Sequence, residues 1–569
     1  MMVIMALVAI FSSTWSSPVP NVWPMPQSID QGNETLIISN PCQLSYEIHA
    51  ASLTNEIREY YTDALKFFES VQLNQYCQET TGALPQSTIR FPPPTTTATR
   101  FGRKYIAAIS NNTSSTFHIF VRNPQEIPMV PGTTSENYTL YTSQNGTAIF
   151  ADNFVGLTRA LATLSQLLES NNDNGAIVIR NTPITVNDSP RYPYRGIMID
   201  TARHFISVET LLHTIDALSL NKLNVFHWHI TDSDSFPIEM PSHPNMTNGA
   251  FSTNQIYTKE DVENVVNHAK ARGVAIIPEL DAPSHSRSWG GASEWTNYLT
   301  CLDPGFPYWG IPIGMLDVTQ DRTYELLQDL YNDFQKGYFK DFKHLHIGAD
   351  EVQQGCVEKI PGINDFMQSH GLNDTKDVFN YFVNRSKSLV DNQTRRIYWS
   401  NLDTLYLKFE EKDLIQWWGN SSGLEQGFAT YPNNQFILSN YDYLYIDCGM
   451  GSPVGNKSWC TYSTWGHIYS FEPDNLITKE EYRKNVFGAE LAMWNEIGND
   501  FTVGTKVWPR GVAFAERVWS QKNCTGSDPV NRFIRMNAQN NRLINIGVRT
   551  GPLSSGYCEQ HPDDCAFDA

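Results

Sequence analysis

The sequence predicts an α/β protein in which a smaller α+β domain precedes a C-terminal (β/α)8 TIM barrel. Two observations predict the barrel: strand and helix patterns alternate beyond residue 190, and eight apolar strands can be counted there. A third observation disfavours the alternative, an open doubly wound sheet, because no glycine-rich phosphate-binding segment follows the first of these strands.

Residues 18–190 are predicted to form the α+β domain. Apolar residues recur on one helical face from Thr54 to Val71, and short strand patterns cover Phe117–Val121 and Ala176–Ile179. The stretch Asn181–Tyr194 contains three prolines and is predicted to join this domain to the barrel, which is assigned to residues 191–569.

The barrel strands end in turns and are separated mostly by helices. Ser207 is the expected cap of a helix over Val208–Leu220, and Thr258 with Asp261 forms a capping box for Lys259–Ala271. Helix patterns also cover Tyr324–Tyr338 and Asp377–Asp391. The predicted strands are Gly196–Thr201, Leu223–Ile230, Val274–Leu280, His344–Gly348, Arg396–Ser400, Leu414–Trp418, Phe436–Ser439 and Phe487–Trp494.

Composition excludes several classes of function. A net charge of -19 over 569 residues argues against a nucleic-acid partner, because no basic surface could neutralise phosphates. Aromatic residues make up 12% of the chain, which is too many for a disordered protein. No segment beyond the N-terminus is apolar over about 18 residues, so no membrane span is expected.

The N-terminus and the cysteines indicate the secretory pathway. An uncharged apolar run over residues 2–11 and the small residues after it predict a signal peptide over residues 1–17, although a buried N-terminal strand is an alternative. Nine cysteines include the close pairs Cys448/Cys460 and Cys558/Cys565, which suit short disulfide loops. Thirteen glycosylation sequons support a secreted or lysosomal glycoprotein: Asn33, Asn111, Asn112, Asn137, Asn145, Asn187, Asn245, Asn373, Asn384, Asn392, Asn420, Asn456 and Asn523.

Functional residues of such a barrel collect at the C-terminal ends of its strands. Carboxylates, an arginine, a histidine and several indoles occupy these positions, a combination that predicts a sugar-binding pocket. Indoles can cover the apolar faces of a pyranose ring, while carboxylates and arginine bind its hydroxyls. The residues are Arg203, Asp232, Asp281, His285, Asp350, Glu351, Trp399, Trp418, Tyr445, Asp447, Trp494 and Glu496.

Two histidine pairs need separate consideration. His227 and His229, like His344 and His346, are two residues apart and therefore share one strand face. They could bind a metal in a metal-dependent hydrolase, but no clear carboxylate-bridged ligand set accompanies them, and packing inside the barrel is favoured. Neither a metal nor a cofactor is expected.

Six segments in order resemble the family 20 glycoside hydrolases, the β-N-acetylhexosaminidases, and the resemblance extends from about residue 20 to 565. It implies hydrolysis of terminal β-linked N-acetylglucosaminides and N-acetylgalactosaminides with retention, through an oxazolinium intermediate formed by the substrate's own acetamido group. Because family members are often dimeric, it also makes a homodimer an expectation. The segments are RGIMIDTARHF, NVFHWHITDSDSFP, IIPELDAPSHSRSWG, HIGADEV, AMWNE and WPRGVAFAERVW.

The resemblance implies a role for each site residue. Glu351 matches the acid/base, and Asp350 matches the residue that orients the acetamido group, which Tyr445 would also bind. The sugar-binding residues would be Arg203, Trp399, Trp418, Asp447, Trp494 and Glu496, with Asp232 and His285 as a relay behind Glu351. The family also suggests the disulfides Cys42–Cys77 and Cys301–Cys356 beside the two short loops, which leaves Cys524 unpaired.

Three residues depart from the family pattern, since Ser284, Ala349 and Asn495 stand where glycine is usual. Each is expected to add side-chain atoms beside the pocket. A glycan-binding or adhesion protein that has lost catalysis is the competing hypothesis from another class. The intact pair Asp350 and Glu351 disfavours it.

Overall fold

The computed structural model describes residues 21–50, 53–92, 115–171, 176–302, 307–308, 311–451, 458–522 and 528–567. The predicted signal peptide, the sequons at Asn111, Asn112, Asn456 and Asn523, and Cys524 lie outside these ranges. Within them, no helix is long and apolar enough to cross a membrane.

The first part of the chain forms a mixed sheet with the strand order β1-β8-β5-β6-β4-β2-β3, to which β7 adds by pairing with β8. One half of the sheet is parallel and consists of β2, β3, β4 and β6. The other half is antiparallel, with β8 pairing with both β1 and β5. The strands are β1 (Ser28–Ile37), β2 (Ser45–His49), β3 (Thr88–Arg90), β4 (Thr116–Asn123), β5 (Tyr138–Ser143), β6 (Gly146–Asn153), β7 (Glu169–Ser170) and β8 (Ile177–Asp188).

Two helices cover one face of this sheet, α1 (Asn55–Thr81) and α2 (Phe154–Leu167), and their apolar side chains share a core with the strands. The predicted end of α1 at Val71 was wrong. Beyond Val71 most residues are polar, so the apolar helical pattern is weak there. Leu73 and Cys77 are nevertheless buried, and the helix continues to Thr81 and ends with the left-handed cap residue Gly82.

The junction between the two domains was predicted to begin at Asn181, which is too early. Strand β8 continues through Pro183 and ends at Asp188. Proline removes a ladder donor and is normally excluded from a central strand. Here Pro183 falls where the pairing of β8 with β1 shifts register between Gln31 and Glu34, so the missing N–H coincides with a bulge.

The second part is a closed barrel of parallel strands in the order β10-β11-β16-β17-β18-β19-β20-β9, which confirms the predicted fold class. All eight predicted strands are present, with ends that differ by at most two residues. The barrel strands are β9 (Tyr194–Asp200), β10 (Val225–Thr231), β11 (Ala275–Ala282), β16 (His344–Gly348), β17 (Arg395–Ser400), β18 (Leu414–Trp417), β19 (Gln435–Leu438) and β20 (Val486–Met493). Outside the barrel, β12 (Leu299–Thr300) pairs with β15 (Met315–Leu316), and β13 (Pro307–Tyr308) pairs with β14 (Ile311–Pro312).

Helices surround the barrel, and the predicted caps at Ser207 and at Thr258 with Asp261 are present. The remaining helices are α3 (Val208–Leu220), α4 (Lys259–Ala271), α5 (Asp321–Asn332), α6 (Gln354–Val357), α7 (Ile363–His370), α8 (Thr375–Lys387), α9 (Leu424–Thr430), α10 (Tyr441–Leu444), α11 (Trp465–Tyr469), α12 (Pro473–Leu476), α13 (Glu480–Arg483), α14 (Val503–Val507), α15 (Arg510–Trp519), α16 (Pro529–Asn545) and α17 (Gly556–Gln560).

Buried ion pairs join the sheet to the barrel. Glu136 accepts hydrogen bonds from Arg159 of α2 at 2.8 Å and from Arg195 at 2.5 Å. Arg195 is the second residue of β9. Asp188, the last residue of β8, accepts from Lys222 Nζ at 2.7 Å and from the indole of Trp519 at 3.1 Å. Buried ion pairs and hydrogen bonds therefore contribute to the contact between the sheet and the barrel.

Candidate active site

The C-terminal ends of the barrel strands surround a cavity of about 310 Å³, a volume near the lower end of small-molecule sites. Most of the residues predicted from the strand ends line it. Asp232, Asp281 and Trp399 do not line it, and Trp459 was not predicted. The lining residues are Arg203, His285, Asp350, Glu351, Trp418, Tyr445, Asp447, Trp459, Trp494 and Glu496.

A turn with positive φ values presents the two central carboxylates. Directly after β16, Gly348, Ala349 and Glu351 have φ values of 80, 69 and 47°, a region that non-glycine residues rarely adopt. At Gly348 a Cβ would lie 1.8 Å from Asp281 Oδ1, so glycine is required there. The Ser284 hydroxyl donates to the carbonyl of Glu351 at 3.3 Å and holds the turn from the side of β11.

A chain of charged groups leads from Glu351 into the protein. Its Oε2 lies 3.2 Å from His285 Nε2, and His285 Nδ1 lies 3.3 Å from Asp232 Oδ2. Arg203 Nη2 contacts the same Asp232 oxygen at 2.8 Å. The predicted relay residues are therefore in contact with one another. His285 lines the cavity, and Asp232 lies behind its wall.

The electrostatics of this chain favour a protonated His285. Burial would lower the pKa of His285, but Asp232 and Asp281 raise it well above its ordinary value. Burial would raise the pKa of Asp232, but Arg203 and His285 lower it far below the usual range of a carboxyl group. The imidazolium can thus donate hydrogen bonds to Asp232 and to Glu351 at the same time.

Asp350 has a different environment from its neighbour. Its side chain is buried, and its Oδ1 atom has no hydrogen-bond partner within the described part of the chain. Burial raises the pKa of Asp350 to about 7, with Glu351 and Glu279 adding to the shift and His285 opposing it. A buried acceptor that lines a cavity without a protein partner is suited to a donor supplied by a ligand.

Aromatic side chains form the walls. The Trp494 ring lies 4.9 Å from the guanidinium carbon of Arg203 and 6.2 Å from the Tyr445 ring. Burial raises the pKa of Tyr445 well above its ordinary value, so its hydroxyl remains a donor. Trp459 is 46% exposed and stands at the rim, 6.0 Å from Tyr445. The only indication of Trp459 in the sequence is its neighbour Cys460, whose disulfide with Cys448 brings this segment to the residue after Asp447.

Trp399 was expected in the wall but lies beneath it. The side chain is fully buried, its indole N–H donates to Glu279 Oε1 at 2.8 Å, and its ring lies 5.7 Å from that of Trp494. Trp399 lies within β17, and its side chain contacts Glu279 and His346 inside the barrel. It therefore supports the Trp494 ring from below.

Two further carboxylates, Asp447 and Glu496, line the cavity. Burial raises the pKa of Asp447 well above its ordinary value, and the neighbouring Glu496 adds to the shift. Burial also raises the pKa of Glu496, although Arg203 opposes it. Because Asp447 Oδ1 has no partner in the described structure, this pair can accept hydrogen bonds from ligand hydroxyls.

The barrel interior below the cavity contains a carboxylate that sequence reasoning missed. Glu279, on β11, contacts His227 at 2.8 Å, His229 at 2.8 Å and His346 at 2.9 Å, in addition to Trp399. The strand registers that bring these residues together cannot be read from one chain. The carboxylate that the histidine pairs seemed to lack is thus present, and it forms a hydrogen bond with His229 Nδ1 at 2.8 Å.

The departures from glycine do not narrow the cavity. Asn495 is fully buried, and its side-chain amide donates to the carbonyl of Asp200 at 2.6 Å. Ala349 is buried and its N–H donates to the carbonyl of Ala282 at 3.1 Å. Asn495 and Ser284 do not line the cavity, whereas Ala349 lines a neighbouring cavity of about 220 Å³ that shares Glu351 and Trp418 with it.

Four disulfides are present, with the pairs expected from the sequence and the resemblance. Cys448–Cys460 ties the segment of Asp447 to that of Trp459, and Cys301–Cys356 ties a loop after β11 to α6, just beyond Glu351. Cys42–Cys77 joins the start of the sheet to α1, and Cys558–Cys565 closes a loop near the C-terminus.

A (β/α)8 barrel whose strand ends combine adjacent carboxylates, a charged relay and indoles defines a glycoside hydrolase site. The chain belongs to glycosyl hydrolase family 20: the family's catalytic-domain model matches residues 192–522, and a model described as "beta-acetyl hexosaminidase like" matches residues 22–167. The protein is a hydrolase of the β-N-acetylhexosaminidase type.

Relatives and solved structures agree with this membership. A chitooligosaccharidolytic β-N-acetylglucosaminidase of Bombyx mori is 34% identical over 461 residues, covering 76% of this chain and 74% of its own. β-Hexosaminidase subunit A1 of Dictyostelium discoideum is 32% identical over 434 residues, covering 76% and 78%. The structure of a Flavobacterium johnsoniae chitobiase is similar in fold, with a TM-score of 0.73 at 23% identity over 93% of this chain and 73% of its own.

Proposed function

We propose that this hydrolase removes terminal N-acetylglucosamine and N-acetylgalactosamine from the non-reducing ends of β-linked glycans, with retention and by substrate-assisted catalysis. The observation that carries the proposal is the contrast between the two adjacent carboxyl groups. Glu351 contacts a charged relay, whereas Asp350 lines the same cavity with a buried oxygen that has no hydrogen-bond partner among the described residues. One group is suited to proton transfer and the other to holding a ligand N–H.

In the first step the acetamido oxygen of the substrate attacks C1 while the bond from C1 to the leaving oxygen breaks. Glu351 gives its proton to that oxygen, and a cyclic oxazolinium forms. Asp350 accepts the acetamido N–H and stabilises the positive charge that develops there, and the Tyr445 hydroxyl donates to the acetamido oxygen. These contacts strengthen as charge develops, which is how they lower the barrier.

In the second step Glu351 removes a proton from water, and the water oxygen bonds to C1 as the oxazolinium opens. His285 supports both steps, because its imidazolium can stabilise the carboxylate that Glu351 becomes after donating its proton. Asp232 holds the imidazole ring in place from the other side. Two displacements at C1 return the original configuration.

The remaining lining residues position the sugar ring. Arg203 is assigned to the O3 and O4 hydroxyls, and Asp447 with Glu496 to the outer hydroxyls. Trp418 and Trp494 cover the acetyl methyl and the ring faces, and Trp399 supports them from below. Arg203, Trp494 and Glu496 belong to segments that resemble the family, and Trp418 and Asp447 line the same cavity, which supports these assignments.

The Asp350→Asn variant tests the mechanism. We expect kcat to fall more than KM rises, because the lost interaction is stronger in the transition state, and we expect a thiazoline mimic of the intermediate to bind more weakly. The exposed Asp365→Asn on α7 is the control, with wild-type values expected. Unchanged thiazoline affinity in Asp350→Asn would reject substrate assistance.

We further propose a two-domain division at residues 18–190 and 191–569 and a place in the secretory pathway, either lysosomal or secreted. The four disulfides support an oxidising compartment. The described sequons have exposed asparagines except for the half-buried Asn420. The homodimer expected from the family stays a prediction, to be tested by light scattering of the purified protein.

A further inference from the structure

The outer face of the N-terminal sheet carries a cluster of two histidines and a glutamate. Glu47 and His49 lie on β2, and His118 lies opposite Glu47 on the neighbouring strand β4. Because side chains alternate along a strand, these three residues share the face opposite the buried Ile48 and Ile119. The cluster belongs to the sheet domain and not to the cavity at the barrel ends.

The spacing of the three donor atoms is that of metal ligands. His49 Nε2 lies 3.5 Å from His118 Nδ1, and Glu47 Oε2 lies 3.4 Å from His118 Nδ1 and 3.8 Å from His49 Nε2. Tetrahedral zinc with bonds of about 2.0–2.2 Å separates its ligand atoms by about 3.3–3.6 Å. Both distances to His118 fall in this range, and the Glu47–His49 distance of 3.8 Å is slightly longer. The carboxylate–imidazole contacts of Glu279 inside the barrel are shorter, at 2.8 and 2.9 Å, than the separation of two ligands on one tetrahedral ion.

The imidazole of His49 is held in position by aromatic stacking. Its ring lies 4.5 Å from the Phe120 ring at an angle of 9°, and Phe120 stacks in turn on Phe150 at 5.0 Å. A site whose ligands are already oriented loses little conformational freedom on binding.

We propose that Glu47, His49 and His118 form a zinc site in which water completes the tetrahedron. Two imidazoles and one carboxylate suit zinc, whereas calcium and magnesium require more oxygen ligands. The ion would join β2 to β4 on the outer face of the sheet. This inference is independent of the hydrolytic mechanism, since none of the three residues lines the catalytic cavity.

The test measures Zn²⁺ binding to the full-length protein after treatment with a chelator, by calorimetry and by metal analysis after dialysis. We expect about one equivalent for the wild type, with Ca²⁺ not binding. Removal of a direct ligand in His49→Gln or His118→Gln should weaken binding by at least the 10–100-fold that changes around metal ligands typically cause. The exposed His561→Gln is the matched control and should bind as the wild type does.

The rate of hydrolysis of an aryl N-acetylglucosaminide is measured on the same samples. We expect this rate to be the same in every variant as in the wild type, which would show that each variant is folded. Zn²⁺ should raise the Tm of the wild type and not that of the double variant His49→Gln/His118→Gln. Absence of Zn²⁺ binding in the wild type would overturn the proposal. Equal binding by the active double variant would also overturn it, because the ion would then occupy a different site.

Discussion

The side chains of Asp350 and Glu351 follow each other in the chain, yet their surroundings differ in every relevant respect. Glu351 is 23% exposed and contacts His285, whereas Asp350 is buried beside Asp281 and has an unpartnered oxygen. The positive φ of Glu351 turns the two carboxyl groups into different environments. The proposed division between proton transfer and substrate orientation depends on that turn.

At this scale we expect Glu351→Gln to reduce turnover of chitobiose by about 10²–10⁴-fold with little change in its binding, because glutamine cannot donate a proton to the leaving oxygen. An aryl glycoside with an acidic leaving group needs less protonation and should lose less activity. Steady-state kinetics on both substrates measure the difference. Glu358→Gln, at an exposed position after α6, is the control. Chitobiose hydrolysis by Glu351→Gln at the wild-type rate would refute the assignment.

Individual site residues could be predicted where a strand end and a family motif coincide, as they do at Arg203 and Glu496. Trp459 could not, because it lies in a loop far from any strand end and reaches the cavity through the disulfide of its neighbour Cys460. Trp399 was predicted as a site residue, but its position beneath the cavity was not. The sequence does not tell whether a side chain at a strand end points into the cavity or below it.

At the scale of elements, β10, β11 and β16 meet inside the barrel through the contacts of Glu279 with three imidazoles. The alternation of a strand predicted that His227 and His229 share a face. It could not predict that Glu279 lies between them and His346, because the register of one parallel strand against the next depends on barrel closure. Strand existence was therefore predictable and the buried network was not.

This network makes stability depend on pH. Burial would lower the pKa of His227, but Glu490 and Glu279 raise it to about 9 in the folded protein, against about 6.5 when unfolded. A raised folded-state pKa gives stability that is complete below about pH 6.5 and is lost as pH rises through about 9. We expect the Tm of the wild type to fall across this range.

In Glu279→Gln the fall in Tm across that pH range should be shallower, because one of the partners that raise the pKa of His227 is gone. At about pH 6 the variant should be less stable by about 3–5 kcal/mol, the usual effect of removing one partner from buried charges. Glu169→Gln, which breaks an exposed pair with Arg180, should change stability by less than about 1 kcal/mol. Parallel Tm curves for Glu279→Gln and the wild type would contradict this explanation.

At the scale of the whole molecule, the sheet and the barrel are joined by buried charges and not by apolar contact alone. The order of the two folds could be predicted from the change of pattern near residue 190. The contacts between them could not, because Asp188 meets Lys222 and Trp519, which are remote from it in sequence and carry no motif. Contacts of this kind depend on the docking of two completed folds.

Asp188→Asn tests the importance of this junction. The substitution keeps the shape of the side chain but leaves the ammonium of Lys222 buried without a carboxylate, so we expect a loss of about 3–5 kcal/mol in the free energy of unfolding. Denaturant unfolding of the intact protein measures it. Glu325→Gln, which breaks the exposed pair with Arg322, should have little effect. A loss no larger than that of this control would show that the junction does not depend on the ion pair.

The most direct test of the proposed mechanism compares aryl glycosides whose 2-acetamido group carries zero to three fluorine atoms. Fluorine withdraws electrons from the amide oxygen, so an enzyme that uses this oxygen as the nucleophile should show kcat/KM falling steeply with each added fluorine. A nucleophile supplied by the protein would be nearly indifferent to the substitution. We predict the steep fall for the wild type, and a flat series would contradict substrate-assisted catalysis by Asp350 and Glu351.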